Sequence, residues 1–204
     1  MNQRRFRTSG PWSARRWGRW TATFVGFPLA GVVARGAVGN IDGASAAALG
    51  GLVGGLTLGT LQATIGGLAR GQRVRWVLGT GVGLAVGLTA GAAAIDYRTD
   101  AASLVLLGAI SGAVVGAAQA ASSVMGAADR LRWMLATPVL WAVGWLITAN
   151  VIVDADRQHA VFGASGALAV SLLSGLLAER WTHMKTQTAS SRSESHAACV
   201  VGVS

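Results

Sequence analysis

Six long apolar runs take up most of this chain, and no other feature limits its fold as strongly. They cover residues 20–38, 44–68, 76–95, 101–127, 133–153 and 160–178. A helix needs about 20 apolar residues to cross the hydrocarbon of a bilayer. In that medium a helix satisfies its own backbone N–H and C=O groups, which an open strand cannot do. The runs therefore predict an all-α integral membrane protein with six transmembrane helices. Composition agrees, since 12% of the residues are charged against about 25% in a soluble domain.

Charge gives these helices an orientation. On the side of the N-terminus lie Arg4, Arg5, Arg7, Arg15, Arg16 and Arg19, then Arg70, Arg73 and Arg75, then Arg130 and Arg132, then Arg180, Lys185 and Arg192. The opposite side has Arg35, Arg98 and Arg157. Lys and Arg are retained in cytoplasmic segments, so both termini are expected in the cytoplasm. The formal net charge of +9 thus reads as topology. A nucleic-acid partner is not expected, because the basic residues sit between apolar runs rather than on a folded polar surface.

Other features define the surroundings of the spans. Trp12, Trp17, Trp20, Trp76, Trp133 and Trp181 fall at the expected cytoplasmic ends or in the flanking segment, where indoles suit the headgroup layer. Residues 1–19 read as a basic, Trp-containing cytoplasmic segment and residues 179–204 as a polar, disordered tail. The first apolar run leads straight into further spans, so it is expected to be retained rather than cleaved as a signal. Cys199 is the single cysteine, which leaves no partner for an internal disulfide. An Ala-, Gly- and Arg-rich chain with one lysine suggests a bacterial cytoplasmic membrane.

The spans repeat. Arg19-Trp20, Arg75-Trp76 and Arg132-Trp133 recur at intervals of 56 and 57 residues, and a glycine follows each Trp by eleven positions, at Gly31, Gly87 and Gly144. Each copy then reaches an aliphatic-Asp pair: Ile41-Asp42, Ile95-Asp96 and Val153-Asp154. The returning helices match as well, with Gly51, Gly55, Gly59 and Gln62 corresponding to Gly108, Gly112, Gly116 and Gln119. The sixth run keeps a small-residue row in Gly163, Ala167, Ser171 and Gly175 but has no glutamine.

Residues four apart share a helix face, and glycines there let backbones approach closely where lipid supplies no hydrophobic drive. The glycine rows are therefore the expected packing faces. Two helices per copy return the chain to its starting side. Three parallel hairpins (residues 19–74, 75–131 and 132–178) are thus expected to form a pseudo-threefold bundle. Pro28 and Pro138 lie within spans and are expected to kink them.

The candidate polar positions are few. Asp42, Asp96 and Asp154 would form an outer ring, Gln62 and Gln119 lie near the inner ends, and Arg35 falls short of the outer boundary, within reach of an external Asp. Together they are the candidate mouths of an axial pathway, although interhelical hydrogen bonding is the leading reading of the glutamines, solvated helix ends that of the aspartates and snorkelling that of Arg35. Arg19, Trp20, Arg75, Trp76, Arg132 and Trp133 are candidate interface anchors, with anionic lipid headgroups as partners for the arginines. Asp156 and His159 form a local pair too small to define a metal site. No catalytic, cofactor or metal motif is present, so none of these is expected.

Tandem GxxxGxxQ, a basic turn and an Arg-Trp restart resemble uncharacterised bacterial multi-pass proteins with Gly/Gln/Trp hairpins, over residues 19–178. The resemblance implies a fold and no activity. In outline the three paired helices also resemble mitochondrial carriers, but the proline-acidic-basic signature of the odd-numbered spans is missing. The expected role is a non-enzymatic structural, assembly or accessory membrane component, binding lipids or other membrane proteins. A small-solute channel or carrier along the repeat axis is the alternative.

Overall fold

A computed structural model describes residues 14–151, 161 and 163–177, with side chains from residue 17 onward. Within them the chain is helical: α1 (Ala14–Ala22), a 3-10 turn (Thr23–Val25), α2 (Gly26–Val38), α3 (Ala44–Ile65), α4 (Arg70–Ala94), α5 (Ala101–Ser122), α6 (Ala127–Val151) and α7 (Ala164–Leu177). Five of the resulting rods are long and apolar enough to cross a membrane: Trp17–Val38, α3, α4, α5 and α6. Helix α7 is shorter and apolar. Its described turns rise about 20 Å, and the ends expected for the sixth span lie outside the described residues.

Several boundaries move from their expected places, α3 ending at Ile65 and α6 starting at Ala127 among them. Arg70, Arg73 and Arg75, expected in a turn, form the first turns of α4, as the high helix propensity of arginine allows. The reversal is confined to Gly66–Ala69. Gly67 takes φ +76°, and Leu68 N–H donates to Ala63 O at 3.0 Å. A left-handed residue with a hydrogen bond from the following N–H back across the turn ends a helix abruptly. Another change is in α5, which stops at Ser122 instead of running to residue 127.

The prolines behave differently from each other. Pro28 is the third residue of α2, just after the 3-10 turn, where a missing N–H costs little. Pro138 lies inside α6, which continues through it.

Bare backbone joins the helices. A Cβ on Gly51 would lie 2.7 Å from Leu84 O and one on Gly55 2.6 Å from Thr80 O, so α3 and α4 touch along that row. Gly108 and Gly112 stand in the same relation to Trp141 O (2.7 Å) and Thr137 O (2.9 Å) on α6. Gly83 and Gly87 of α4 abut Val115 and Ser111 of α5, and Gly54 of α3 meets Ala30 and Ala34 of α2. Helix α7 lies against α6 at Gly166 and against the first rod at Gly175, beside Trp17 and Trp20.

Each rod thus has two neighbours, and the first rod and α7 meet. Phe27, Leu58, Leu84, Leu88, Val115 and Trp141 fill the interior. Large apolar side chains also cover the outside, among them Val32, Leu49, Val82, Leu135 and Val139. A bundle apolar both inside and outside is suited to lipid rather than water.

Candidate functional site: a tryptophan and glutamine network

At the Arg-Trp end of the bundle, Trp20, Trp76 and Trp133 meet. Their ring centroids are 6.4 Å (Trp20–Trp76), 6.0 Å (Trp20–Trp133) and 6.2 Å (Trp76–Trp133) apart. The first two pairs are edge-to-face, the geometry the indole quadrupole favours. Trp76 and Trp133 are buried at 2% and 8% exposure. These indoles pack against one another inside the bundle, and the arginines beside them point outward.

Burial obliges each indole N–H to find an acceptor. Trp76 Nε1 donates to Gln62 Oε1 at 3.1 Å, and Trp133 Nε1 donates to Gln119 Oε1 at 3.1 Å. Trp20 Nε1 donates to Ser174 Oγ at 3.0 Å. In the register of Gly163, Ala167 and Ser171, Ser174 stands at the position that Gln62 and Gln119 take in α3 and α5. Gln119 Nε2 then joins α5 to α3 and α4, donating to Gln62 Oε1 (3.2 Å) and to Thr80 Oγ1 (3.0 Å).

A threonine supports each tryptophan. Thr23, Thr80 and Thr137 return their hydroxyls to the carbonyls of Trp20, Trp76 and Trp133 at 2.6, 2.8 and 2.7 Å. The offset is four residues in α4 and α6 and three in the first rod, where the 3-10 turn brings the hydroxyl round one residue sooner. All three threonines are buried.

Beneath the indoles lies a cavity of about 20 Å³ whose polar wall is Thr23, Gln62, Gln119, Thr137, Ser171 and Ser174. That volume accommodates one water molecule. Gln62 lines it, is 7% exposed, and makes no hydrogen bond through its amide nitrogen within the described residues. Every polar group in the wall is an amide, an indole or a hydroxyl, neutral at ordinary pH. The network can orient helices and exchange hydrogen bonds but holds no proton to transfer near neutrality.

The remaining candidate residues lie elsewhere. Asp42 and Asp96 are exposed at the opposite end, so the structure does not bring them to the glutamines. Asp96 occupies the left-handed position after α4 (φ +51°), a conformation Asp tolerates better than most residues. Asp154 lies outside the described residues. Arg35 is exposed and donates to Asn40 Oδ1 at 3.0 Å, an amide of its own loop rather than an aspartate. A second cavity of about 20 Å³ at this end is lined by Ile41, Leu88, Ile95 and Leu107 together with the polar Tyr97, Arg98 and Thr99. Phe27 and Trp141, edge-to-face at 5.9 Å, are part of the first cavity's wall, and the fully buried Leu84 belongs to the same core.

Gly163 N–H donates to Thr148 Oγ1 at 3.1 Å, which ties the start of α7 to α6. Asp100 caps α5, taking the N–H of Ser103 at 3.0 Å and its hydroxyl at 2.5 Å. Those two bonds from Ser103 hold the Asp100 carboxyl below its ordinary pKa. Among the described residues no three His, Cys, Asp or Glu side chains converge as a metal-holding group. No family model matches the chain, and neither a curated protein nor a solved structure does.

Sequence reasoning picked out the tryptophans and glutamines but not their pairing, and it passed over the threonines and Ser174. The usable signal was a Trp followed by Thr at nearly constant spacing. A second was the register of the sixth run, which puts Ser174 at the glutamine position.

Proposed function

We propose that this chain is a structural or assembly component of a bacterial cytoplasmic membrane, built as three copies of one helical hairpin closed about an approximate threefold axis, with both termini inside. The observation that carries the repeat is the indole set. Trp76 and Trp133 each bond a glutamine fourteen residues earlier. Trp20 bonds Ser174 of the last helix, 154 residues later. Three equivalent donors, three acceptors in equivalent register and three mutual ring contacts support a closed ring.

The packed interior supports an architectural role over the channel or carrier. Phe27, Leu84 and Trp141 pack as an apolar plug in one core, the two small cavities described each take about one water, and the exposed Asp42 and Asp96 line neither. A polar pathway would need that apolar plug to open.

Two measurements test the reading. In a Cys199→Ser background, cysteines at Gly31 and Val161 are expected to cross-link within one chain, since a Cβ on Gly31 would lie 3.4 Å from Val161 Cγ2. Failure to cross-link would remove the ring. For the role itself, purification in native lipid is expected to yield a membrane-protein partner in fixed stoichiometry, and liposomes carrying the chain are expected to be as tight as protein-free ones. Solute or ion flux through those liposomes would replace this reading with the channel.

A further inference from the structure

The roomiest of the cavities described lies away from the axis. It is a groove of about 240 Å³ between α3 and α4 on the outside of the bundle, lined by Thr60, Ala63, Thr64, Arg73, Val74, Val77 and Leu78. Antiparallel packing places Thr64 and Arg73 toward the Arg-Trp end and Thr60, Val77 and Leu78 a turn deeper. Val74 is 64% exposed and Leu78 54% exposed. The groove therefore has a cationic, hydroxyl-bearing end at the helix termini and an apolar length running into the span.

Among the described residues, Arg70, Arg73 and Arg75 form no ion pair. Between Asp42 and Asp96 the sequence contains no acidic residue. Arg70, Arg73 and Arg75 are all exposed. Arg73 Nε donates to Leu68 O at 2.9 Å, and Arg19 Nε donates to Ile65 O at 3.0 Å. These bonds seat one guanidinium on the last carbonyl of α3 and the other on a carbonyl of the turn that follows, and each leaves two terminal nitrogens for another acceptor. The corresponding turn between α5 and α6 differs. There Arg132 pairs with Asp129 at 3.4 Å, and Arg130 reaches Ser123 O at 3.4 Å.

We propose that the α3–α4 groove binds one anionic phospholipid, its phosphate on Arg73 and Thr64 and an acyl chain along Val74, Val77 and Leu78. A guanidinium presents parallel N–H donors that match phosphate oxygens, and the apolar length holds the chain in place of bulk lipid. Phosphate without a tail would gain only the first of these.

Native mass spectrometry of the full chain, with phosphatidylglycerol or phosphatidylcholine of identical tails, tests this. One phosphatidylglycerol is expected to be retained in preference to phosphatidylcholine. Arg73→Gln should weaken it about tenfold, Arg73→Lys should weaken it less, and Arg130→Gln should leave it unchanged. Inorganic phosphate at matching concentration should not displace it. Arg73 is exposed and lies one helical turn before Trp76, so the Trp fluorescence of Arg73→Gln, expected to match that of the parent, checks that the indole network is intact. Equal retention of both lipids, equal losses in Arg73→Gln and Arg130→Gln, or displacement by phosphate alone would each overturn the proposal.

Discussion

The α3–α4 and α5–α6 hairpins are nearly interchangeable on the inside and unlike on the outside. Inside, the pairs Gly51–Leu84 and Gly108–Trp141, and Gly55–Thr80 and Gly112–Thr137, stand in the same register, and each hairpin closes on a Gln–Trp bond. Outside, one turn gathers uncompensated arginine while the other contains an ion pair. Even the helix starts differ: α3 has Gly43 as its N-cap with no side-chain bond, whereas α5 has Asp100. Close backbone packing tolerates almost no variation. Turns and outer surfaces vary freely and are where the two hairpins can take on separate partners.

The largest effects should break both hairpins alike. Leucine at Gly55 or Gly112 would press a side chain into facing backbone, 2.6 Å from Thr80 O and 2.9 Å from Thr137 O respectively. Each substitution is expected to cost about 3 kcal/mol or more, read as loss of the folded band in detergent. A marked difference between the two would mean that the hairpins are not equivalent.

The glutamines should separate them. Gln119 serves Trp133, Gln62 and Thr80, while Gln62 serves Trp76 and Gln119. Gln119→Leu is therefore expected to be the more damaging, by about 1–2 kcal/mol, against about 1 kcal/mol for Gln62→Leu. Thermal unfolding followed by Trp fluorescence would report both, and the reverse order would show that the bridge from α5 to α3 and α4 carries little.

Ser174→Gln extends the comparison to α7. A glutamine there would fill the adjacent cavity while keeping an acceptor for Trp20. A gain of about 1 kcal/mol in stability is expected. A loss would show that α7 meets the first rod with different geometry from that within the two hairpins.

The smallest effect concerns the caps. Asp100→Ala should lower the melting temperature slightly at neutral pH. The folded-state pKa of Asp100 is depressed, so its contribution is fully present above the ordinary value of about 3.9 and lost as pH falls through the lower folded value. The difference between variant and parent should close over that acidic range.

The sequence made the helical class and five of the membrane-length helices readable, because these depend on local spacing and residue size. It also made the outward-facing arginines readable, since charge alone excludes them from the interior. The indoles show its limit. Trp76 beside Arg75 has the local pattern of a headgroup anchor, yet its ring lies inside because Gln62 supplies an acceptor there. Ser174 was illegible for a related reason: a serine in a small-residue row reveals no acceptor role until Trp20 is seen to reach it across the bundle. Helix ends such as Gly67 depend on a single dihedral angle, which the basic residues after it masked.

The bond between Trp20 and Ser174 also has a consequence in time. A growing chain releases its first span into the bilayer long before the last is made, and the acceptor for that first indole is still unsynthesised. Until it emerges, Trp20 must meet its hydrogen-bonding need from lipid or water, and the bundle stays open along one seam. Contacts so distant in sequence close late and slowly. That seam is the interval in which another membrane component could enter the ring, or a truncated chain be recognised and destroyed.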